Sequence, residues 1–280
     1  MPRRVSDQYR TAFVTGASSG LGGAFAEMLL AEGVRVWGTA RDPARVAGLV
    51  PRHPGQFTPV GLDLADAAAA ERVFLAAEKV AGGFDLVINN AGYGVFGAFA
   101  ETDFAVWQAQ LEAILAATLR LAHAAVRGMR ARNRGCLVNV SSLAVEFPLP
   151  FMSGYNAAKA GLSAFSESLL METRGTNLTV IDFRPGDYRT AFNQAMPSTV
   201  SAQLPADPRR TRVWRILESN LAAAPAPARA AADLRRALIR GRSGTVRSGS
   251  FFQARLAPLF ARMAPDAGRR FVAAWYFGLR

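Results

Sequence analysis

The sequence predicts an α/β protein built on a doubly wound parallel sheet with helices on both faces. Three observations carry that prediction. Short apolar runs rich in β-branched and aromatic residues alternate with longer segments of helical period. The runs are nearly continuous in apolar residues, as strands covered on both faces must be. A Gly-rich turn, "TGASSGLG" at residues 15–22, separates the first run from the first helical segment. In such sheets a turn of this kind brings backbone N–H groups and a helix N-terminus up to a diphosphate.

The elements follow in order. "TAFVT" (11–15), "VRVWGT" (34–39), "FTPVG" (57–61), "FDLVI" (84–88), "CLVNV" (136–140) and "LTVIDF" (178–183) read as six strands. Helices are expected near 21–32, 67–81, 103–132 and 155–174. Beyond the sixth strand the pattern degrades. Turn signals "MPS", "LPADP" and "APAP" surround a short apolar helix near 212–223, and a helix at 228–240 precedes the Gly/Ser-rich "GRSGTVRSGS". The final stretch, "FFQARLAPLFARMAPDAGRRFVAAWYFGLR", mixes aromatics with Arg, and Pro258 and Pro265 interrupt any long helix. It is expected to pack over the mouth of a site or onto a second subunit, with weak contact to a membrane surface as the alternative.

Half of the 280 residues are hydrophobic, enough to bury a large core in one domain. No run of about 18 uninterrupted apolar residues marks a spanning helix. The basic N-terminus lacks the apolar core of a signal peptide. Cys136 is the only cysteine, so an internal disulfide is excluded, and two His with one Cys argue against structural zinc. A cytoplasmic location is the expectation.

The net charge of +12 is unevenly placed. Residues 1–208 hold 18 basic and 18 acidic side chains, whereas 209–280 hold 15 Arg against Glu218, Asp233 and Asp266. An anionic partner would use such an excess. The chain is also rich in Arg throughout, with 31 Arg to two Lys, and a compositional bias is the favoured reading of the excess. No nucleic-acid motif accompanies the charge, so no nucleic-acid partner is expected.

Further motifs sit at the ends of the expected strands. "DLAD" begins at Asp63, "NNAG" spans 89–92, "NVSS" spans 139–142, "YNAAK" spans 155–159 and "RPGDYRT" spans 184–190. With "TGASSGLG", this ordered set resembles the short-chain dehydrogenase/reductase family over about residues 11–190, and more loosely its steroid and retinol dehydrogenase branch. The resemblance implies a Rossmann-type fold and a single nucleotide-binding domain over 1–280. Within it, 187–280 would form a substrate lid and C-terminal extension.

It also implies the catalytic set Ser142, Tyr155 and Lys159. A spacing of four places Tyr155 and Lys159 on one helical face. A free phenol titrates near 10, and an ammonium a turn away, with a cationic nicotinamide, is expected to lower that value. Tyr155 would then exchange a proton with a carbonyl oxygen that Ser142 holds.

Around the cofactor, the resemblance assigns Gly16, Ser18, Ser19, Gly20 and Leu21 to the diphosphate turn and Asp63 and Leu64 to the adenine. Asn90, Ala91 and Gly92 go to the adenosine ribose. Lys159 would also reach the nicotinamide ribose, and Pro185, Gly186 and Thr190 the nicotinamide end. Ala40 stands where an acid would grip the ribose hydroxyls, and Arg41 follows it. A guanidinium suits a phosphate monoester, so NADP(H) is expected over NAD. Asp42 leaves NAD open through pairing with Arg41 or a register slip of two.

One departure stands out. Many relatives carry an Asn seven residues after a Trp, where the helix kinks and holds a water against the catalytic Lys. Counting from Trp107 reaches Ile114. Either a backbone carbonyl there still holds the water, or the protein is a weakened nucleotide-binding sensor or scaffold. The favoured reading is an oxidoreductase interconverting an alcohol and a ketone or aldehyde. Val95, Phe96, Phe147, Phe151, Met152, Phe192 and Met196 suggest a lipophilic substrate, and Glu146 is a candidate to select its polar group. A homo-dimer or tetramer through the helices of Ile114 and Tyr155 is expected by resemblance.

Overall fold

The structure, a computed structural model, describes residues 3–192 and 207–279. Seven parallel strands form one sheet in the order β3-β2-β1-β4-β5-β6-β7. They are β1 (Thr11–Val14), β2 (Arg35–Ala40), β3 (Phe57–Gly61), β4 (Leu86–Asn89), β5 (Gly135–Val140), β6 (Leu178–Pro185) and β7 (Gly244–Ser248). Central strands β1, β4 and β5 are buried at every position, which is why their sequences lack polar alternation. Pro59, which has no N–H for a ladder, falls on the edge strand β3.

Helices connect and cover the strands: α1 (Gly20–Ala31), α2 (Ala44–Ala47), α3 (Ala67–Ala81), α4 (Phe104–Leu111), α5 (Ala117–Ala131) and α6 (Ser153–Glu172). After β6 come α7 (Pro208–Ala223), α8 (Pro227–Arg240), α9 (Ala257–Met263) and α10 (Asp266–Tyr276). Their ends follow local chemistry. Asp66 caps α3 by accepting from Ala69 N, and Gly82 ends it in the left-handed region. Pro208 and Pro227 each open a helix at a position with no N–H to lose.

On one face, Phe25 and Leu29 of α1 and Leu234 and Leu238 of α8 pack on Val14, Val36, Val138 and Ile181. On the other, Phe74, Leu121, Met129 and Leu169 pack on Phe13, Trp37, Val87, Leu137 and Val180. Alternate strand residues therefore feed opposite layers, and each large buried side chain contributes about 1.5–3 kcal/mol. Phe74 meets Phe13 edge-on, with ring centroids 5.0 Å apart.

Three expectations change. The Gly/Ser-rich stretch 241–250 contains β7, which pairs along β6 from Ile181↔Gly244 to Pro185↔Ser248. The buried strand β6 would otherwise present an open edge, and satisfying its backbone groups outweighs the low β propensity of Gly and Ser. The helix expected over 103–132 is divided by a π-helical turn at Glu112–Ala116. In the final stretch Pro258 stands in the first turn of α9 without breaking it, because a π turn at Phe252–Leu256 runs directly in, whereas Pro265 does separate α9 from α10. Met196, the "MPS" turn and most of "LPADP" lie outside the described residues.

Candidate active site

The strand order reverses between β1 and β4, the place where sheets of this kind form a ligand crevice outside the carboxyl ends of the strands. Thr15 builds its floor. Its N–H donates to Ile88 O at 3.0 Å, and its Oγ1 accepts from Asn90 N and Ala91 N, each at 2.9 Å. Asn90 returns a bond from Nδ2 to Thr15 O at 2.9 Å. From β2, Thr39 accepts from Gly16 N at 3.2 Å through Oγ1 and from Ala17 N at 2.8 Å through its carbonyl. Neither threonine was among the predicted site residues. The signal was a polar residue ending each apolar strand, in "FVTG" and "WGTA".

Gly16 turns with φ +71°, and a Cβ on Gly22 would lie 2.2 Å from Gly16 O, so the turn and helix touch at backbone distance. Ser19 is the N-cap residue of α1, yet its side chain makes no capping bond, and the first turn holds no acid. The helix thus meets the crevice with its first N–H groups uncapped by side chain, a setting that fits an anionic phosphate group. Ser18 is half-buried and Ser19 exposed at this mouth. Leu21 packs instead against the core beneath. Across the crevice, a Cβ on Gly20 would lie 3.5 Å from Thr190 Cγ2, so the segment after β6 closes over the turn.

Arg41, directly after β2, is exposed and forms no salt bridge within the described residues. Asp42 Oδ1 accepts from Ala44 N at 2.9 Å and so caps its own backbone rather than pairing with Arg41. Asp63 likewise accepts from Ala65 N at 3.0 Å, and Leu64 packs into the core below. Arg41 and Asp63 both act electrostatically on the Tyr93 phenol, whose titration burial raises. The ends of β2, β3 and β4 therefore converge on one rim.

The second half of the site lies at the ends of β5 and β6. Ser142 follows β5, and its Oγ accepts from Ala144 N at 3.0 Å. Tyr155 and Lys159 sit one turn apart on α6, both buried, with Lys159 Nζ 5.8 Å from the centre of the Tyr155 ring. Lys159 Nζ donates to Val140 O at 2.7 Å. A Cβ on Gly92 would lie 3.7 Å from the same Nζ, which ties "NNAG" to "YNAAK". Asn156 fixes the loop before α6, accepting from Leu149 N at 3.1 Å and donating to Leu149 O at 2.8 Å.

The expected lowering of Tyr155 is reversed in this structure. Burial pushes the phenol up to about 12, while its hydrogen bond to Ser142 pulls the other way. Burial also brings Lys159 down to about 8, against the pull of the Asp182 carboxylate. Desolvation outweighs the short distance between the two groups.

Beneath them runs a buried polar network. Asp182 accepts from Ser141 Oγ through one oxygen, and through the other from Ser163 Oγ and Arg184 Nε, each at 2.7 Å. Arg184 also reaches Glu146 at 2.9 Å, and Arg247 Nε donates to the same carboxylate oxygen at 2.7 Å. Glu146 therefore serves this network through that oxygen. Its other oxygen, Oε2, is buried with no hydrogen-bond partner among the described residues.

An apolar cluster lies over the phenol. Phe96, Met152 and Ile114 are buried in it, with Phe151 and Phe192 at its edge. Phe192 meets Tyr155 edge-on at 5.7 Å. Val95 and Phe147 fall outside this cluster. Contributors from beyond residue 207 include Trp214 of α7, whose ring centroid is 5.0 Å from that of Phe96, and the buried Phe277. Pro185 is buried at the end of β6, and Gly186 N donates to Ser248 O at 2.7 Å. Ile114 sits in the π turn, where the helix widens as it passes Lys159 and Gly92. A polar recess lined by Thr173, Arg174, Asn177 and Ser243 opens at the other end of the sheet, away from these groups.

The sequence profile of the short chain dehydrogenase family matches residues 10–201. The chain belongs to the short-chain dehydrogenase family. This short-chain dehydrogenase is 31% identical over 208 residues to the 3-oxoacyl-[acyl-carrier-protein] reductase of Vibrio cholerae, covering 71% of this chain and 85% of that one. A short-chain dehydrogenase structure from Streptomyces avermitilis superposes with a TM-score of 0.79 at 29% identity, over 96% of this chain and 97% of that chain. One from Burkholderia phymatum, in complex with NAD, shares the fold with a TM-score of 0.79 at 21% identity, over 91% and 92% of the two chains. A metagenomic short-chain oxidoreductase in complex with NADP superposes with a TM-score of 0.66 at 26% identity, over 85% and 96%. The family is one of oxidoreductases, and solved structures similar to this chain include complexes with NAD and with NADP.

Proposed function

We propose that this short-chain dehydrogenase is an NADP(H)-dependent oxidoreductase interconverting a lipophilic alcohol with its ketone or aldehyde, with Tyr155 as acid and base. The observation that carries the reading is the placement of Tyr155 and Lys159 one turn apart on α6, with Nζ 5.8 Å from the ring centre, both buried together with Ser142 at the carboxyl ends of the strands. The bound cofactor supplies or accepts the hydride.

In reduction, Tyr155 Oη gives its proton to the carbonyl oxygen, and Ser142 Oγ donates a hydrogen bond to that oxygen as charge develops. The phenolate is held by the nearby ammonium of Lys159 and regains its proton from solvent. Oxidation runs the same atoms backwards. Gly16, Ser18, Ser19, Gly20 and Leu21 would hold the diphosphate, and Asp63, Leu64, Asn90, Ala91 and Gly92 the adenosine. Lys159, Pro185, Gly186 and Thr190 would hold the nicotinamide end. The unpaired guanidinium of Arg41, with Asp42 turned to its own backbone, supports NADP over NAD. The aromatic cluster over Tyr155 supports a lipophilic substrate, with the described parts of 187–280 as its lid. The family's dimer or tetramer would place α5 and α6 at an interface.

The widened turn at Ile114 supports catalysis over the sensor reading, because the helix keeps its distortion there without an Asn. NADPH oxidation against a panel of lipophilic ketones and aldehydes tests the proposal. Wild type is expected to turn over, and Tyr155→Phe to lose about 10²–10⁴-fold in kcat. Equal rates in the two proteins would remove Tyr155 from the mechanism.

A further inference from the structure

Sixteen large hydrophobic side chains are exposed among the described residues, and ten of them fall within the 26 residues from 251 to 276. Phe251, Phe252, Leu256, Leu259, Met263 and Trp275 are 48–77% exposed. Apolar surface concentrated in this way marks an interaction site.

The same segment is anchored on its inner side. Gln253 Nε2 donates to Asp187 Oδ2 at 2.6 Å in the turn after β6, Arg212 donates to Gly278 O at 2.8 Å, and Phe277 is buried in the cluster around Tyr155. One side therefore covers the mouth of the site while the other presents aromatic and aliphatic groups outward.

Charge decides the occupant. Residues 250–279 carry Arg255, Arg262, Arg269 and Arg270 against Asp266 alone, and Asp266 is already paired with Arg269. Arg255 and Arg270 are exposed beside the apolar groups. A second copy meeting this face across a two-fold axis would set arginines against arginines. An anionic lipid surface complements both the aromatic groups and the charge. The helices are too short to do more than lie on it, at seven residues for α9 and eleven for α10. No helix among the described residues is long and apolar enough to cross a membrane.

We propose that residues 250–276 dock on an anionic lipid surface and turn the mouth of the site toward the bilayer, so that a lipophilic substrate enters from the lipid. Entry from the lipid rests on the oxidoreductase reading above; docking does not.

The experiment is co-sedimentation of the full chain, without substrate, with phosphatidylcholine vesicles and with vesicles containing one quarter phosphatidylglycerol. Two variants accompany it, Arg255→Gln/Arg270→Gln and Phe252→Ser/Trp275→Ser, each changing exposed side chains only. The parent is expected to bind the anionic vesicles at least tenfold more tightly and to release in high salt. The arginine variant loses about fivefold for each charge removed, and the apolar variant loses binding to both vesicles. No binding by the parent, or equal binding to both vesicles, overturns the proposal. If the apolar variant breaks up an oligomer and the parent ignores vesicles, the face belongs to a second copy. Turnover of a short, water-soluble aldehyde is expected to be unchanged in both variants. Its absence from the parent would count against the oxidoreductase reading while leaving docking intact.

Discussion

Lys159 shows burial and chemistry opposed in one side chain. The residue is 5% exposed, and burial brings its ammonium down from 10.5 to about 8 because water has been removed from around it. Between those two values the unfolded chain binds a proton that the native chain does not. Stability from this group therefore rises with pH across that window, by roughly 3 kcal/mol at about 1.4 kcal/mol per unit. Tyr155 works in the opposite direction, since its folded value of about 12 lies above 10 and its contribution is lost only as pH rises past that window. Replacing Lys159 by Met removes the first effect alone. Chemical denaturation of parent and Lys159→Met at pH 7.5 and pH 10 is expected to show the parent gaining on the variant as pH rises. A constant gap would mean that the native ammonium is not destabilised by burial. Turnover should fall steeply in the variant at both pH values.

At the scale of elements, β6 is the strand that ties the site to the scaffold. Asp182, fully buried on β6, takes bonds from Ser141 directly after β5, from α6 through Ser163 and from its own strand through Arg184. Removing Arg184 would strand that carboxylate without its cation, a loss that typically costs about 3–5 kcal/mol. Arg184→Met is expected to lower the unfolding free energy by about that amount, measured by urea denaturation. Asp182→Asn/Arg184→Met, which removes both charges, should recover part of it. A double variant no better than the single one would deny the coupling. The six strands found from apolar runs were legible because burial on both faces leaves few alternatives to Val, Ile, Phe and Leu. β7 was not, since an edge strand made of Gly, Thr, Arg and Ser is specified by the open edge of β6 rather than by its own residues. Ser142, Tyr155 and Lys159 were named through the family resemblance rather than by spacing, and the structure buries all three at the carboxyl ends of the strands. Trp214, Phe277 and the place of Glu146 in the polar network were not foreseen, because each depends on a contact made across 38 residues or more.

Over the whole molecule, the basic excess after residue 208 is partly absorbed by acids that precede it in the chain. Arg210 pairs with Glu101, Arg235 with Glu32 and Arg247 with Glu146. These contacts fasten the C-terminal third to the sheet, so a ligand in the crevice stabilises a body that unfolds with its lid. Binding to the native state alone adds RT ln(1 + [L]/Kd), about 2.7 kcal/mol at one hundred times Kd. In a chain of 280 residues that is a rise in Tm of about 5 °C. On the proposed NADP(H) reading, Arg41, which forms no salt bridge among the described residues, makes the size of the rise depend on the cofactor's 2′-phosphate. At equal concentration NADPH is expected to raise Tm by several degrees more than NADH, and Arg41→Ala to bring the two together by weakening the NADPH response alone. A thermal melt with each cofactor reads this directly. Equal shifts in the parent would return Asp42 to the ribose and make NAD the cofactor, with the Tyr155 chemistry unaffected. Loss of both shifts in Arg41→Ala would instead assign Arg41 to the fold of the rim, since a contact to the 2′-phosphate leaves NADH binding unchanged.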